Sequence, residues 1–159
     1  MQPTQGLTVA LYKSTRPGMA GLYNRAVRLW TRSAYSHAEL IFSDGMAASS
    51  SFLDGGVRFK RIAFDPDHWD FVEIVGDENT VRQWFIDHEG KAYDLIGNLG
   101  FVIGFIRDGA DKWSCAESIA AALGYLESWR YSPAILHSVI THQSPPMNNP
   151  CHITEEPAP

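Results

Sequence analysis

Apolar positions recur along this chain with two different periods, and the changes between them divide it into elements. Leu7 to Tyr12 is an apolar, β-prone run that ends in Lys-Ser-Thr-Arg-Pro-Gly, the pattern of a strand entering a loop. Leu22, Ala26, Leu29 and Trp30 then fall at helical spacing, predicting a short amphipathic helix that stops near Ser33. From Ser36 the period shortens. His37 to Phe42, the turn signal Ser43-Asp-Gly45, Met46 to Ser51, Asp54-Gly-Gly56 and Val57 to Ala63 together predict an antiparallel meander. Trp69 to Val75 supplies a further strand, and a helix over about Asn79 to His88 carries Val81, Trp84 and Phe85 on one face.

Gly90-Lys-Ala-Tyr-Asp94 breaks that helix and opens an apolar, glycine-rich stretch to Ile106, expected to form short helices on the core. Arg107 to Lys112 is polar and predicts a loop. Cys115, Ile119, Ala122 and Leu123 share a helical face, so a helix begins at the cysteine, with Gly124 as its stop. Ser132-Pro133 starts a last helix with a stripe of Ile135, Leu136, Val139 and Ile140. Residues 1–143 therefore read as one domain, and 144–159, rich in Pro, Asn and Glu, as a disordered tail.

Composition narrows the function classes. A chain of 159 residues, 45% hydrophobic, builds one core rather than two. The net charge of -5, with the two signs read as mixed along the chain, offers no cationic surface for a phosphate backbone, so nucleic acid is not an expected partner. Leu95 to Ile106 is interrupted by glycines and is shorter than the roughly 20 residues that span a bilayer. The first residues lack a charged and an apolar region of the secretory kind, which predicts cytoplasmic synthesis. Two cysteines, Cys115 and Cys151, define no disulfide framework, and Cys151-His152 has no second pair to complete a zinc site, so neither metal nor cofactor is expected.

Chemistry concentrates in Lys112-Trp-Ser-Cys-Ala-Glu117. A cysteine in the first turn of a helix meets free backbone N–H groups and the positive end of the helix dipole, which favour thiolate and can hold an oxyanion. Alone, such a cysteine is most often a small packing residue. A base is available in Tyr35-Ser-His37-Ala-Glu39, where the histidine opens a strand. Glu117, about 200° around the helix from Cys115, reads as a first-turn dipole partner.

The series Ser36-His37, Gly55-Gly56-Val57, Gly90-Lys-Ala-Tyr93-Asp94, Trp113-Ser-Cys115-Ala-Glu117 and Ser132-Pro133-Ala-Ile-Leu136 resembles, in its order, the permuted papain-like proteins of the NlpC type. The resemblance spans nearly all of residues 7 to 140, and the histidine precedes the cysteine as the permuted branch implies. It implies an α+β fold in which an antiparallel sheet packs against the helix carrying a nucleophilic Cys115, with His37 as general base and a third polar residue orienting the imidazole. The strand where the family often places that third residue offers only serines, so Ser50 (or Ser49) and Glu39 both remain candidates. Glu39 shares a strand face with His37, although strand neighbours two apart are about 6–7 Å apart at the backbone. Tyr93 and Trp113 are candidate substrate-binding residues, and each also reads as a packing aromatic. The implied activity is a hydrolase acting on an amide or ester through an acyl-enzyme, with a peptidoglycan peptide as first substrate. A lipid amidase or acyltransferase and a non-catalytic interaction module are the alternatives. A cell-wall substrate requires delivery by a non-secretory route such as a phage particle.

Overall fold

The computed structural model describes residues 6–15, 17–93 and 112–143. The expectations for Leu95 to Ile106, for Arg107 to Asp111, for Cys151 and for the tail from Ser144 lie outside them. The described elements are β1 (Gly6–Tyr12), α1 (Met19–Thr31), β2 (His37–Ile41), β3 (Ala47–Ser51), β4 (Gly56–Lys60), β5 (Trp69–Val75), α2 (Glu78–His88), β6 (Ala92–Tyr93), β7 (Lys112–Trp113), α3 (Cys115–Ala122) and α4 (Pro133–Gln143), with a short 3-10 turn at Ser128–Arg130.

The strands form one seven-stranded mixed sheet in the order β5-β1-β2-β3-β4-β6-β7, so the protein is α+β. β1 is central to one half, pairing antiparallel with β2 (Tyr12 opposite His37) and with β5 (Tyr12 opposite Trp69). The meander β2-β3-β4 continues it, as the turn signals predict. At the far edge β6 and β7 run parallel, Tyr93 beside Trp113. These two strands are two residues each, too short to impose any periodicity on the sequence, and they fall where a break and a loop are predicted.

Alternation along β1 and β2 separates two apolar layers. Leu7, Val9, Leu11, Ala38 and Leu40 face the main core with Phe85 of α2, Ile119 of α3, and Leu136 and Ile140 of α4. Ala10, Tyr12 and Trp69 form a second cluster with Ile41 and Phe64. Small residues carry α3 close to the sheet: Ala116 and Ala120 are fully buried, as are Ala38 and Ala48 on the strands. Gly56 marks a close backbone approach. Its φ of 149° disfavours a side chain, and a Cβ there would run into the Lys91 carbonyl, whose oxygen accepts from Val57 N–H at 2.9 Å.

Two helix faces differ from expectation. In α1 the spaced leucines point outward, Leu22 being 64% and Leu29 83% exposed, while Gly21 and Asn24 are buried. Helical spacing specifies an apolar stripe but not the direction it takes, and here the side amide of Asn24 donates to Ser36 Oγ at 3.0 Å and fixes the opposite face inward. In α4 the buried residues are Pro133, Leu136 and Ile140, with Ile135 exposed.

Candidate active site

Local sequence sets the cysteine at a helix start. Ser114 caps α3 by accepting from Glu117 N–H at 3.3 Å, and the Glu117 carboxylate accepts from Ser114 N–H at 3.2 Å. This reciprocal box uses two of the end-of-helix donors and makes Cys115 the first helical residue, leaving the N–H groups of Cys115 and Ala116 without an intrahelical acceptor. Cys115 is 4% exposed.

The helix is stitched to β3 by two serines. Ser50 donates its hydroxyl to the Trp113 carbonyl at 2.6 Å, and its backbone N–H donates to Ser118 Oγ at 3.2 Å. Ser118 in turn donates to the Cys115 carbonyl at 2.9 Å. Ser50 therefore holds the turn before Cys115 and does not face the imidazole; its candidacy as the orienting residue is corrected on that geometry. Ser49 is also engaged elsewhere, donating to the Ala38 carbonyl at 2.7 Å.

Glu39 is the residue that meets His37. Nε2 of the imidazole donates to Glu39 Oε1 at 2.8 Å, so the 6–7 Å of backbone that weighed against this pair is closed by the two side chains leaning together over one pleat. Glu39 is 1% exposed and is held by Arg58 of β4 through both oxygens, at 2.6 and 2.7 Å. Arg58 also donates to Asp54 at 2.9 Å, and Asp54 accepts from Lys60 at 2.8 Å. Arg58 and Asp54 are thus part of the constellation although sequence reasoning passed over them. No local signal marks them: Arg58 alternates with Val57 and Phe59 just as Lys60 does, the pattern of an ordinary half-exposed strand.

The charges reinforce one another. For His37 burial is the largest effect and by itself lowers the pKa, but the charge of Cys115, its side-chain hydrogen-bond contact with the ring and the Glu39 carboxylate outweigh it and raise the imidazole to about 9. For Glu39 burial again opposes the charged form, and Arg58 and His37 together bring its pKa below the usual value. Asp54 is held near 2 against burial by Lys60 and Arg58. With Nε2 committed to Glu39, Nδ1 is the ring nitrogen left for Cys115. Trp69 stands edge-on to the imidazole with centroids 6.3 Å apart, walling its other side.

The remaining candidates are placed less directly. Tyr93 packs edge-on against Phe52 at 5.9 Å and is half-buried, beside Trp113 in the sheet. Trp113 lies edge-on to Trp84 and His88, which stack at 3.9 Å, so its ring packs α2 against the turn that precedes Cys115. The structure brings Cys115, His37 and Glu39 together and leaves Ser50, Tyr93 and Trp113 as their surroundings. Among the described residues no group of His, Cys, Asp and Glu is arranged to hold a metal ion, and no helix is long and apolar enough to cross a membrane.

No protein-family model matches the chain, and no curated protein matches it.

Proposed function

We propose that this protein is a cysteine hydrolase of the permuted papain-like, NlpC-type class, acting on an amide or ester bond. The observation that carries the reading is a helix-start cysteine whose charge and hydrogen bonding raise the pKa of an imidazole whose Nε2 is bound to a buried carboxylate. In the reaction Cys115 Sγ attacks the acyl carbon, and the oxyanion is met by N–H groups at the start of α3. As the tetrahedral adduct collapses, the bond to the leaving amine or alcohol breaks and His37 gives that group its proton. Water then attacks the acyl-enzyme, yields its proton to His37, and the acid and the thiolate are released. Glu39 keeps the imidazole in the orientation and tautomer that aim Nδ1 at sulfur. With both oxygens bound by Arg58, it acts as an ion and not as a proton acceptor.

The substrate we propose first is a peptidoglycan peptide; an acyl lipid is the alternative within the same chemistry. One observation favours a non-catalytic module instead: the near-complete burial of Cys115.

The test is a chemical one. Native protein is mixed with p-nitrophenyl acetate, and the nitrophenolate release and the acetylated peptide are followed. Expected is a burst with the acetyl group on Cys115, absent in Cys115→Ala and strongly slowed in His37→Ala, both folded. No burst and no acetyl-Cys115 overturn the hydrolase and leave the module. If the burst appears, cell-wall peptides and acyl lipids are compared directly as substrates.

A further inference from the structure

The face that α1 turns away from the core is apolar at its centre and basic at its flank. Leu22, Ala26 and Leu29 recur on one stripe and are exposed, and Arg25 and Arg32, both exposed, lie along one side of it. A soluble surface does not ordinarily spend two leucines of a short helix on water, and such a stripe beside cations is the pattern of helices that lie in a lipid interface. The charge pattern of the chain agrees, and corrects the reading of evenly mixed signs. No acidic residue precedes Glu39, whereas Lys13, Arg16, Arg25, Arg28 and Arg32 all fall in that part, in a chain whose net charge is -5. Lys13 is paired with Asp70, and Arg28 is bonded to the Lys13 carbonyl and Thr15. Arg25 and Arg32 have no such structural duty among the described residues.

We propose that this face of α1 is a docking surface for an anionic lipid bilayer, with the leucines in the interface and Arg25 and Arg32 on the headgroups. The opposite face of the helix is tied to Ser36, the residue before His37, through Asn24. Docking therefore holds the His37 end of β2 close to the membrane surface. Electrostatic attraction to headgroups decays over a Debye length, about 8 Å at physiological salt, so the interaction depends on ionic strength.

Vesicle flotation of the full chain tests this, using phosphatidylcholine vesicles with and without phosphatidylglycerol. Expected is flotation with the anionic vesicles only, lost at high salt. Arg25→Gln with Arg32→Gln lowers the partition coefficient roughly thirtyfold, from the attraction of a headgroup surface for two cations. Leu22→Ser with Leu29→Ser abolishes flotation while melting temperature and elution volume stay those of the wild type. Equal flotation with both vesicle types, or none, overturns the proposal. So does a leucine variant that melts markedly lower, because its own chain then covers the face, or a wild-type dimer that the leucine variant splits, because a second copy then covers it. Cys115→Ala floats like the wild type, so flotation is read independently of the chemistry proposed for that residue.

Discussion

Arg58 reaches Glu39 from two strands away, passing its own register partner Ser49 to place two guanidinium nitrogens on the two carboxylate oxygens at 2.6 and 2.7 Å. Such a fork-to-fork pair is among the stronger charged contacts a protein makes. It also creates a liability. With Glu39 1% exposed, loss of the cation leaves a charge in the interior with only His37 beside it. Arg58→Met is therefore expected to destabilise the fold by about 3–5 kcal/mol, read as a lower urea midpoint with unchanged slope. Adding Glu39→Gln to that variant recovers part of the loss, because the stranded charge is gone. A double variant no more stable than the single one contradicts this account.

His37 makes the site sensitive to alkali. Its pKa is raised from 6.5 to about 9, so the imidazolium's contribution to stability is fully present below about pH 6.5 and is lost as pH rises through about 9. Histidine ring NMR signals followed from pH 5 to 11 are expected to show this late titration. In Cys115→Ala the charge on sulfur is absent while burial remains, and the His37 titration moves to lower pH. An unmoved titration in that variant means that sulfur and ring do not interact.

Ser50→Ala removes a hydroxyl from the Trp113 carbonyl inside the protein. An unsatisfied buried acceptor costs about 1–3 kcal/mol, so thermal unfolding is expected at a temperature lower by several degrees. Because the turn before Cys115 loosens, the burst with p-nitrophenyl acetate is expected to slow as well. A variant that loses activity at full stability would return Ser50 to the reacting groups.

Gly56→Ala tests the crossing of β4 and the segment before β6. The φ of 149° and the Lys91 carbonyl both oppose a Cβ. Strain of this kind costs about 1–3 kcal/mol, and the clash adds to it, so poor expression or a lowered urea midpoint is expected. A variant of wild-type stability would require the two strands to be farther apart than they are.

The sequence made most of these elements legible because each buries one face. β1 announces itself as an apolar, β-prone run, β2 to β4 by the turn signals between them, α3 by the shared face of Cys115, Ile119, Ala122 and Leu123 with Gly124 beyond it, and the positions of Cys115 and His37 by standing at element starts. What stayed hidden depends on side-chain direction or on distant pairing. The choice between Glu39 and Ser50 turned on rotamers, since a backbone spacing alone does not say whether two side chains lean together. Arg58 was invisible because its partner lies two strands away, and nothing local relates position 58 to position 39. The outward stripe of α1 escaped for a related reason: a period says that a helix has two faces, and only the packed structure says which one meets water.

The parts of the site are spread unevenly along the chain. His37, Glu39 and Arg58 belong to one local meander, whose hairpins close over short loops and can assemble early. Cys115 joins them only when a helix from the last third of the domain docks on the same sheet, through the Ser50 and Ser118 contacts. Cys115 and His37 therefore meet only through contacts between segments far apart in the sequence. Undocking of α3 parts Cys115 from His37 and leaves the His37–Glu39–Arg58 group, which lies within β2 to β4, with its own partners in place.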